Sequence, residues 1–215
     1  MSAFFSSTNQ KIHYNPTVKK LNQKRKLIKA FEDKFLNNFH TFEPHKKTNI
    51  MALIALGGNP TQTTGELPKV GSKIADFKLV KTDLSYSSLA DYVGKKIVLN
   101  IFPSVDTGTC AASIRKFNER ASTLENTTVL CISRDLPFAQ KRFCGAEGLA
   151  NVVNLSDFLD GSFGKTNGLE ISDGPLSGLH SRVVIVVDEN GTIIHTEQVA
   201  EIADEPNYEA ALAVL

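Results

Sequence analysis

Cys110 closes the run Phe102-Pro103-Ser104-Val105-Asp106-Thr107-Gly108-Thr109-Cys110, which follows the apolar stretch Ile97-Val98-Leu99-Asn100-Ile101 and precedes residues at helical spacing. This pattern predicts a thiol at a strand-to-helix turn. A sulfur there faces unpaired backbone N–H groups and the positive end of the helix dipole, both of which favour thiolate over thiol. The residue three before Cys110 is Thr107, so dithiol exchange through Cys-x2-Cys at one turn is excluded. What remains is a single activated cysteine nucleophile. Of the other two cysteines, Cys131 lies inside Val129-Leu130-Cys131-Ile132-Ser133 and reads as a small buried hydrophobe. A metal-binding module of Cys110, Cys131, Cys144 and His180 is disfavoured, because separations of 21, 13 and 36 residues match no zinc pattern.

The elements that position Cys110 alternate between strand-like and helix-like segments from residue 71 onward, which predicts an α/β domain with helices on a central sheet. Phe77–Val80 and Leu84–Tyr86 read as a small leading hairpin, and Ile97–Phe102 as the first buried strand. Ala111, Ile114, Phe117, Ala121 and Leu124 mark one face of the helix that opens near Cys110. After the strand containing Cys131, Asp135 is a candidate cap and Pro137 a tolerated first-turn residue of a second helix, expected to reach Cys144 and stop at Gly145. Val152–Leu155 reads as a short strand, followed by a Gly-rich connection. Arg182–Val187 and Thr192–His195 flank Asp188-Glu189-Asn190-Gly191 as a hairpin, and Pro206 introduces a closing helix over Tyr208–Leu215. This is the order of a thioredoxin-like fold with an N-terminal hairpin addition.

The 215 residues and 41% hydrophobic content suffice for one buried core, and the net charge of +1 gives no reason to expect nucleic acid. The charge is uneven. Residues 1–50 hold ten Lys/Arg against three Asp/Glu, a net +7, which leaves −6 for the rest. They form a basic N-terminal extension, and residues 51–215 the folded domain. Leu27, Ile28, Phe31, Phe35, Leu36 and Phe39 recur at helical spacing among lysines, as in a membrane-surface or targeting helix. Glu32 and Asp33 interrupt that basic face, and a globular pattern opens right after Met51. A disordered tail, or a start codon assigned too far upstream, is therefore favoured. Three cysteines are too few for a disulfide-built scaffold, and no apolar run approaches the ~20 residues that span a bilayer. A soluble, cytoplasmic domain is expected.

Pro103-x3-Thr107-x2-Cys110 resembles the peroxidatic motif of peroxiredoxins, and the whole run resembles the thiol peroxidases, their atypical 2-Cys subfamily. Asp135-Leu136-Pro137-Phe138-Ala139-Gln140 with Arg142-Phe143-Cys144, Asp173-Gly174-Pro175-Leu176, and Tyr208-Glu209-Ala210-Ala211-Leu212 extend the resemblance, in order, over about residues 57–215. It implies that Cys110 attacks a hydroperoxide and becomes a sulfenic acid. Thr107 would supply a hydroxyl, Arg182 a fixed positive charge and Pro103 shielding from water; N–H groups of Thr109 and Cys110 would complete the site. Taken alone, Thr107 reads as a helix cap and Arg182 as a solvated strand-end charge.

The resemblance further implies that Cys144, 34 residues on, resolves the sulfenic acid as an intramolecular Cys110–Cys144 disulfide that thioredoxin reduces. No cofactor or metal is implied, and a homodimer is. The disulfide needs Cα atoms within about 7 Å, so loosening of the first turn after Cys110 and of the Cys144 helix end is expected, with Gly108 and Gly145 as hinges. Apolar residues around the Gly-rich connection would suit an alkyl hydroperoxide. A redox sensor or holdase would use the same residues without turnover, and a glutathione-dependent peroxidase would turn over without thioredoxin.

Overall fold

The computed structural model describes residues 24–29 and 51–215. The chain divides into two units, residues 1–48 and 49–215. In the first, residues 24–29 form a short helix, α1, with Leu27 and Ile28 exposed. The longer amphipathic helix, the disordered tail and the upstream start all fall on residues outside those described.

The second unit opens with an antiparallel hairpin, β1 (Leu53–Leu56) and β2 (Asn59–Gln62), which has no counterpart among the elements expected from the sequence. The remaining strands are β3 (Lys78–Lys81), β4 (Tyr86–Ser88), β5 (Lys96–Ile101), β6 (Thr127–Ser133), β7 (Val152–Ser156), β8 (Val183–Val187) and β9 (Ile193–Gln198). They form one seven-stranded sheet in the order β4-β3-β7-β6-β5-β8-β9. β5, β6 and β7 run parallel, and β8 lies antiparallel to β5. The helices are α2 (Gly108–Ala121), α3 (Pro137–Glu147), α4 (Ser162–Thr166) and α5 (Tyr208–Leu212), with a 3-10 turn at Leu89–Tyr92. The thioredoxin-like α/β arrangement expected from the sequence is the one observed.

Both sheet faces are covered, so the central strands are apolar on each side rather than alternating with water. Ile97, Leu99 and Ile101 of β5 pack with Ile185, Phe163 and Leu169 on one face. Val98 and Phe102 pack with Ile114 and Phe117 of α2, Val184, and Ala211 of α5 on the other. The α2 residues Cys110, Ala111, Ser113, Ile114 and Phe117 recur at helical spacing and are buried, which fixes the helix's rotation and therefore where its first turn points.

Three boundaries differ from expectation. α3 continues through Gly145 to Glu147 and ends where Gly148 takes the left-handed conformation, φ 66°. Its N-cap is Leu136 rather than Asp135. α5 ends at Leu212, short of the chain end. None of the described helices is long and apolar enough to cross a membrane.

Gly168 has φ +67° and lies against the Glu66 backbone, so a Cβ there would run into the Glu66 carbonyl. Gly145 is helical and a Cβ on it meets nothing within 4 Å. Thermal or denaturant unfolding should show opposite signs: Gly168→Ala loses about 1–3 kcal/mol, whereas Gly145→Ala gains up to ~1 kcal/mol.

Candidate active site

Cys110 is the third residue of α2, buried and free. The N–H groups of Gly108, Thr109 and Cys110 lead the helix, where no carbonyl lies one turn back to accept them. The sheet supplies the charge. Arg182 immediately precedes β8, which pairs with β5, and its Nη2 lies 3.5 Å from Cys110 Sγ. The residue is only 2% exposed, so the reading of Arg182 as a solvated strand-end charge does not hold. Its Nε donates to the Ile202 carbonyl at 2.9 Å. Its Nη1 is buried and has no partner among the described residues. A guanidinium with one N–H on the sulfur and another unspent can serve a sulfur anion and a second acceptor beside it.

The segment 199–203 holds this arrangement. Val199 N–H donates to the Arg182 carbonyl at 3.0 Å, and Ala55 of β1 bonds this segment twice, its N–H donating to the Ala200 carbonyl (2.7 Å) and its carbonyl accepting from Ile202 N–H (2.8 Å). Glu201 accepts from Gly57 and Gly58 N–H at 3.0 and 2.9 Å and from Ala203 N–H at 3.1 Å. The Gly58, Ala203 and Gly57 amides hold the Glu201 carboxyl below its usual range. From α2, Thr109 Oγ1 donates to the Ala203 carbonyl at 2.9 Å. The N-terminal hairpin thus steadies the segment on which both Arg182 and the first turn of α2 rest.

Pro103 is buried in the turn leading to Cys110. Thr107 occupies the N-cap without a side-chain capping bond. It is exposed, and its hydroxyl donates to the Ser104 carbonyl at 3.2 Å. In this resting arrangement the structure brings Arg182 to the sulfur and places the Thr107 hydroxyl on its own loop.

Asp135, read from sequence as a cap, instead anchors this loop. Its carboxylate accepts from Ser104 Oγ at 2.7 Å, Val105 N–H at 2.8 Å and Ser133 Oγ at 2.7 Å. Ser156 Oγ donates to its carbonyl. Gln140 of α3 reaches the same cluster through Nε2 to Ser133 Oγ, 3.0 Å. The cysteine loop, the end of β6 and the start of α3 therefore share one carboxylate. Neither Asp135 nor Glu201 carries a sequence signal for this, since Ser104 and Val105 lie 30 or more residues from Asp135, and Gly57 and Gly58 more than 140 from Glu201.

Cys144 sits in the last turn of α3, half-buried and free. Asn154 Nδ2 lies 3.0 Å from its sulfur. Burial pushes the Cys144 thiol up, the Asn154 bond opposes this and Glu147 adds to it. The helix end is tied to α2 by exposed contacts: Arg115 to Glu147 at 2.8 and 2.9 Å, and Asn151 to Asn118. An exposed Arg142–Asp106 pair at 3.2 Å joins α3 to the cysteine loop. Exposed pairs of this kind contribute ~0–1 kcal/mol each. Cys131 is fully buried, and burial pushes its thiol up to about 12.

A lone thiol at a helix start, held against a buried guanidinium on a thioredoxin-like sheet, defines a thiol-based oxidoreductase. The Redoxin family matches residues 69–212. A thiol peroxidase of Corynebacterium glutamicum is 58% identical over 165 residues, covering 77% of this chain and 99% of that protein. A peroxiredoxin-like protein from Aquifex aeolicus superposes with a TM-score of 0.70 at 36% identity, over 76% of this chain and 96% of that one. A thiol peroxidase from Chromobacterium violaceum shares the fold, with a TM-score of 0.71 at 22% identity over 75% and 94% of the two chains. The chain belongs to the Redoxin family, and within it to the thiol peroxidases, oxidoreductases of the peroxiredoxin kind.

In the native protein at pH 8, iodoacetamide should label Cys144 and leave Cys131 unmodified, as read by mass spectrometry of peptides; labelling of Cys131 at a comparable rate would contradict its burial. Asp135→Ala strands two hydroxyls and an amide, and should lower unfolding free energy by about 1.5–3 kcal/mol in denaturant titration.

Proposed function

We propose that this chain reduces hydrogen peroxide and organic hydroperoxides to water and alcohols through Cys110 and Cys144, recycled by thioredoxin. The observation that carries the reading is Arg182: one guanidinium nitrogen 3.5 Å from Cys110 Sγ, the other buried and unspent. Cys110, as thiolate, attacks one peroxide oxygen in line with the O–O bond. That bond breaks, the leaving oxygen departs as alcohol or water after taking a proton, and Cys110 keeps the attacking oxygen as a sulfenic acid. Arg182 Nη1 donates to the polarised peroxide, and the first-turn N–H groups of α2 stabilise the charge that moves. Thr107, with its proton on Ser104, offers its oxygen to the peroxide proton. Pro103 excludes water and brings no N–H to compete.

Cys144 then attacks the sulfenic sulfur, expels water and forms the Cys110–Cys144 disulfide. Because Cys110 is fully buried and Cys144 is held on Asn154, the first turn of α2 and the last turn of α3 loosen to join them. The weak exposed ties at the end of α3 suit such release. A thioredoxin dithiol reduces the disulfide by thiolate exchange. This cycle needs a reducing compartment, which supports a cytoplasmic location.

A cavity of about 250 Å³ lined by Leu56, Pro60, Leu176 and Ile202 together with polar Asn59, Thr61 and Asp173 supports a hydroperoxide with an alkyl part, since Ile202 also holds Arg182. Exposed Leu136 and Phe138, at 52% and 63%, sit at the start of α3 and support a homodimer closing over this side. Residues 51–215 carry all of this chemistry, and residues 1–50 are an extension to it.

The test is hydroperoxide-dependent NADPH consumption coupled through thioredoxin and its reductase. Cys110→Ser and Cys144→Ser should abolish turnover, Arg182→Ala should cut kcat/KM by about 10²–10³-fold, and Cys131→Ser should retain activity. Disulfide formation in a single turnover should quicken as pH rises from 6 to 8, because the Cys144 thiol is held above its ordinary 9.0. Activity surviving in Cys110→Ser sinks the reading. Oxidation without turnover would point to a sensor, and turnover independent of thioredoxin to a glutathione-type donor.

A further inference from the structure

The register of the sheet sets three polar residues in one row: Asn100 of β5 opposite Cys131 of β6, and Cys131 opposite Asn154 of β7. They lie on the face otherwise lined by Val98, Val129 and Val152 and covered by α2 and α3. The row contains two amide–sulfur pairs. Asn100 Nδ2 lies 3.7 Å from Cys131 Sγ and is shared with Ser113 Oγ at 3.3 Å. Asn154 Nδ2 lies 3.0 Å from Cys144 Sγ. One amide is loosely placed beside an inert thiol, and the other is tight against a thiol at the protein surface.

Asn154 is 7% exposed, and its Oδ1 has no partner among the described residues. A buried amide costs free energy unless its groups are bonded, and a neutral thiol is a poor acceptor. A thiolate is a strong one. The amide N–H is thus better compensated when the sulfur beside it is charged. We propose that Asn154 is a working residue of the resolving half-reaction: its amide N–H holds the Cys144 sulfur as the anion that attacks Cys110 and that leaves again when the disulfide is reduced. This rests on the reading of Cys144 as the resolving thiol.

Other groups face the same sulfur. Cys131 lies beneath it from β6 and Glu147 one turn along α3, while Lys141 of α3, Lys81 of β3 and Asp83 of the following turn line the groove outside. The carboxylate of Glu147 is engaged by Arg115, so the Asn154 amide is the donor in direct contact with the sulfur.

The test reads Cys144 without requiring catalysis. In the full chain carrying Cys110→Ser and Cys131→Ala, the rate of iodoacetamide alkylation is followed by intact mass from pH 6 to 11.5. Asn154→Leu and the near-isosteric Asn154→Asp should each move the midpoint upward by about one pH unit, tenfold less thiolate at pH 7. Asn154→Thr, which keeps a donor, should restore most of the shift. An unmoved midpoint in the Asp variant, confirmed folded by circular dichroism, overturns the proposal, as does a Thr variant no better than Leu. With Cys110 restored, single-turnover disulfide formation in Asn154→Leu should be about tenfold slower at pH 7 and recover above the midpoint. A moved midpoint with no Cys110–Cys144 disulfide in any variant would overturn the resolving role itself and leave the amide–sulfur pair standing.

Discussion

A buried guanidinium against a buried sulfur is the interaction the rest of this molecule is arranged to tolerate. Taking a charge out of water costs several kcal/mol even after relaxation, and only close, well-directed partners offset it. Arg182 obtains one from the Ile202 carbonyl and another from Cys110, and keeps its remaining amine buried without a partner. The sheet gives the arginine a fixed origin because it enters β8 next to β5. The segment 199–203, pinned by the β1–β2 turn through Glu201, fixes the carbonyls on which both the arginine and Thr109 depend. A hairpin about 50 residues before Cys110 in sequence thereby bears on the position of its sulfur.

The supports of the two cysteines differ in kind. Cys110 is held by core packing of α2 and by the two bonds of Asp135 to its loop. The end of α3 near Cys144 rests on exposed ion pairs and on Asn118. Water competes for those contacts, so they open at little cost. Firm attachment on one side and loose attachment on the other suits a cycle in which the second thiol travels farther than the first. The Asp135 carboxylate connects the two sides, since Gln140 of α3 bonds to the same Ser133 that Asp135 holds.

The strand-to-helix turn at Cys110 was legible because local signals agree there: an apolar run, a turn with Pro103 and Gly108, then apolar residues at helical spacing. The central strands were legible for the same reason. Where two local signals competed, the sequence was ambiguous. Gly145 and Gly148 both suit a helix end, and packing chose the second. Asp135 suits an N-cap, yet its carboxylate goes to Ser104, Val105 and Ser133, a choice made by tertiary proximity. The hairpin at Leu53–Gln62 was hidden by Gly57, Gly58 and Pro60, which read as loop although Pro60 sits in a two-stranded ribbon. Asn154 and Glu201 carry no pattern at all, because what they do depends on register across strands and on a contact 143 residues away.

The unpartnered amine of Arg182 has a consequence for the return half of the proposed cycle. In that cycle, drawing Cys110 into a disulfide would leave a neutral sulfur beside the guanidinium. The oxidised form would then hold a positive charge in its core with the Ile202 carbonyl as its close partner. That tension would weaken the disulfide relative to the dithiol, so electrons supplied by a reductant would run downhill into the site. In the proposed cycle, the arginine that primes the sulfur for attack would also draw the site back to its starting arrangement once the disulfide is opened.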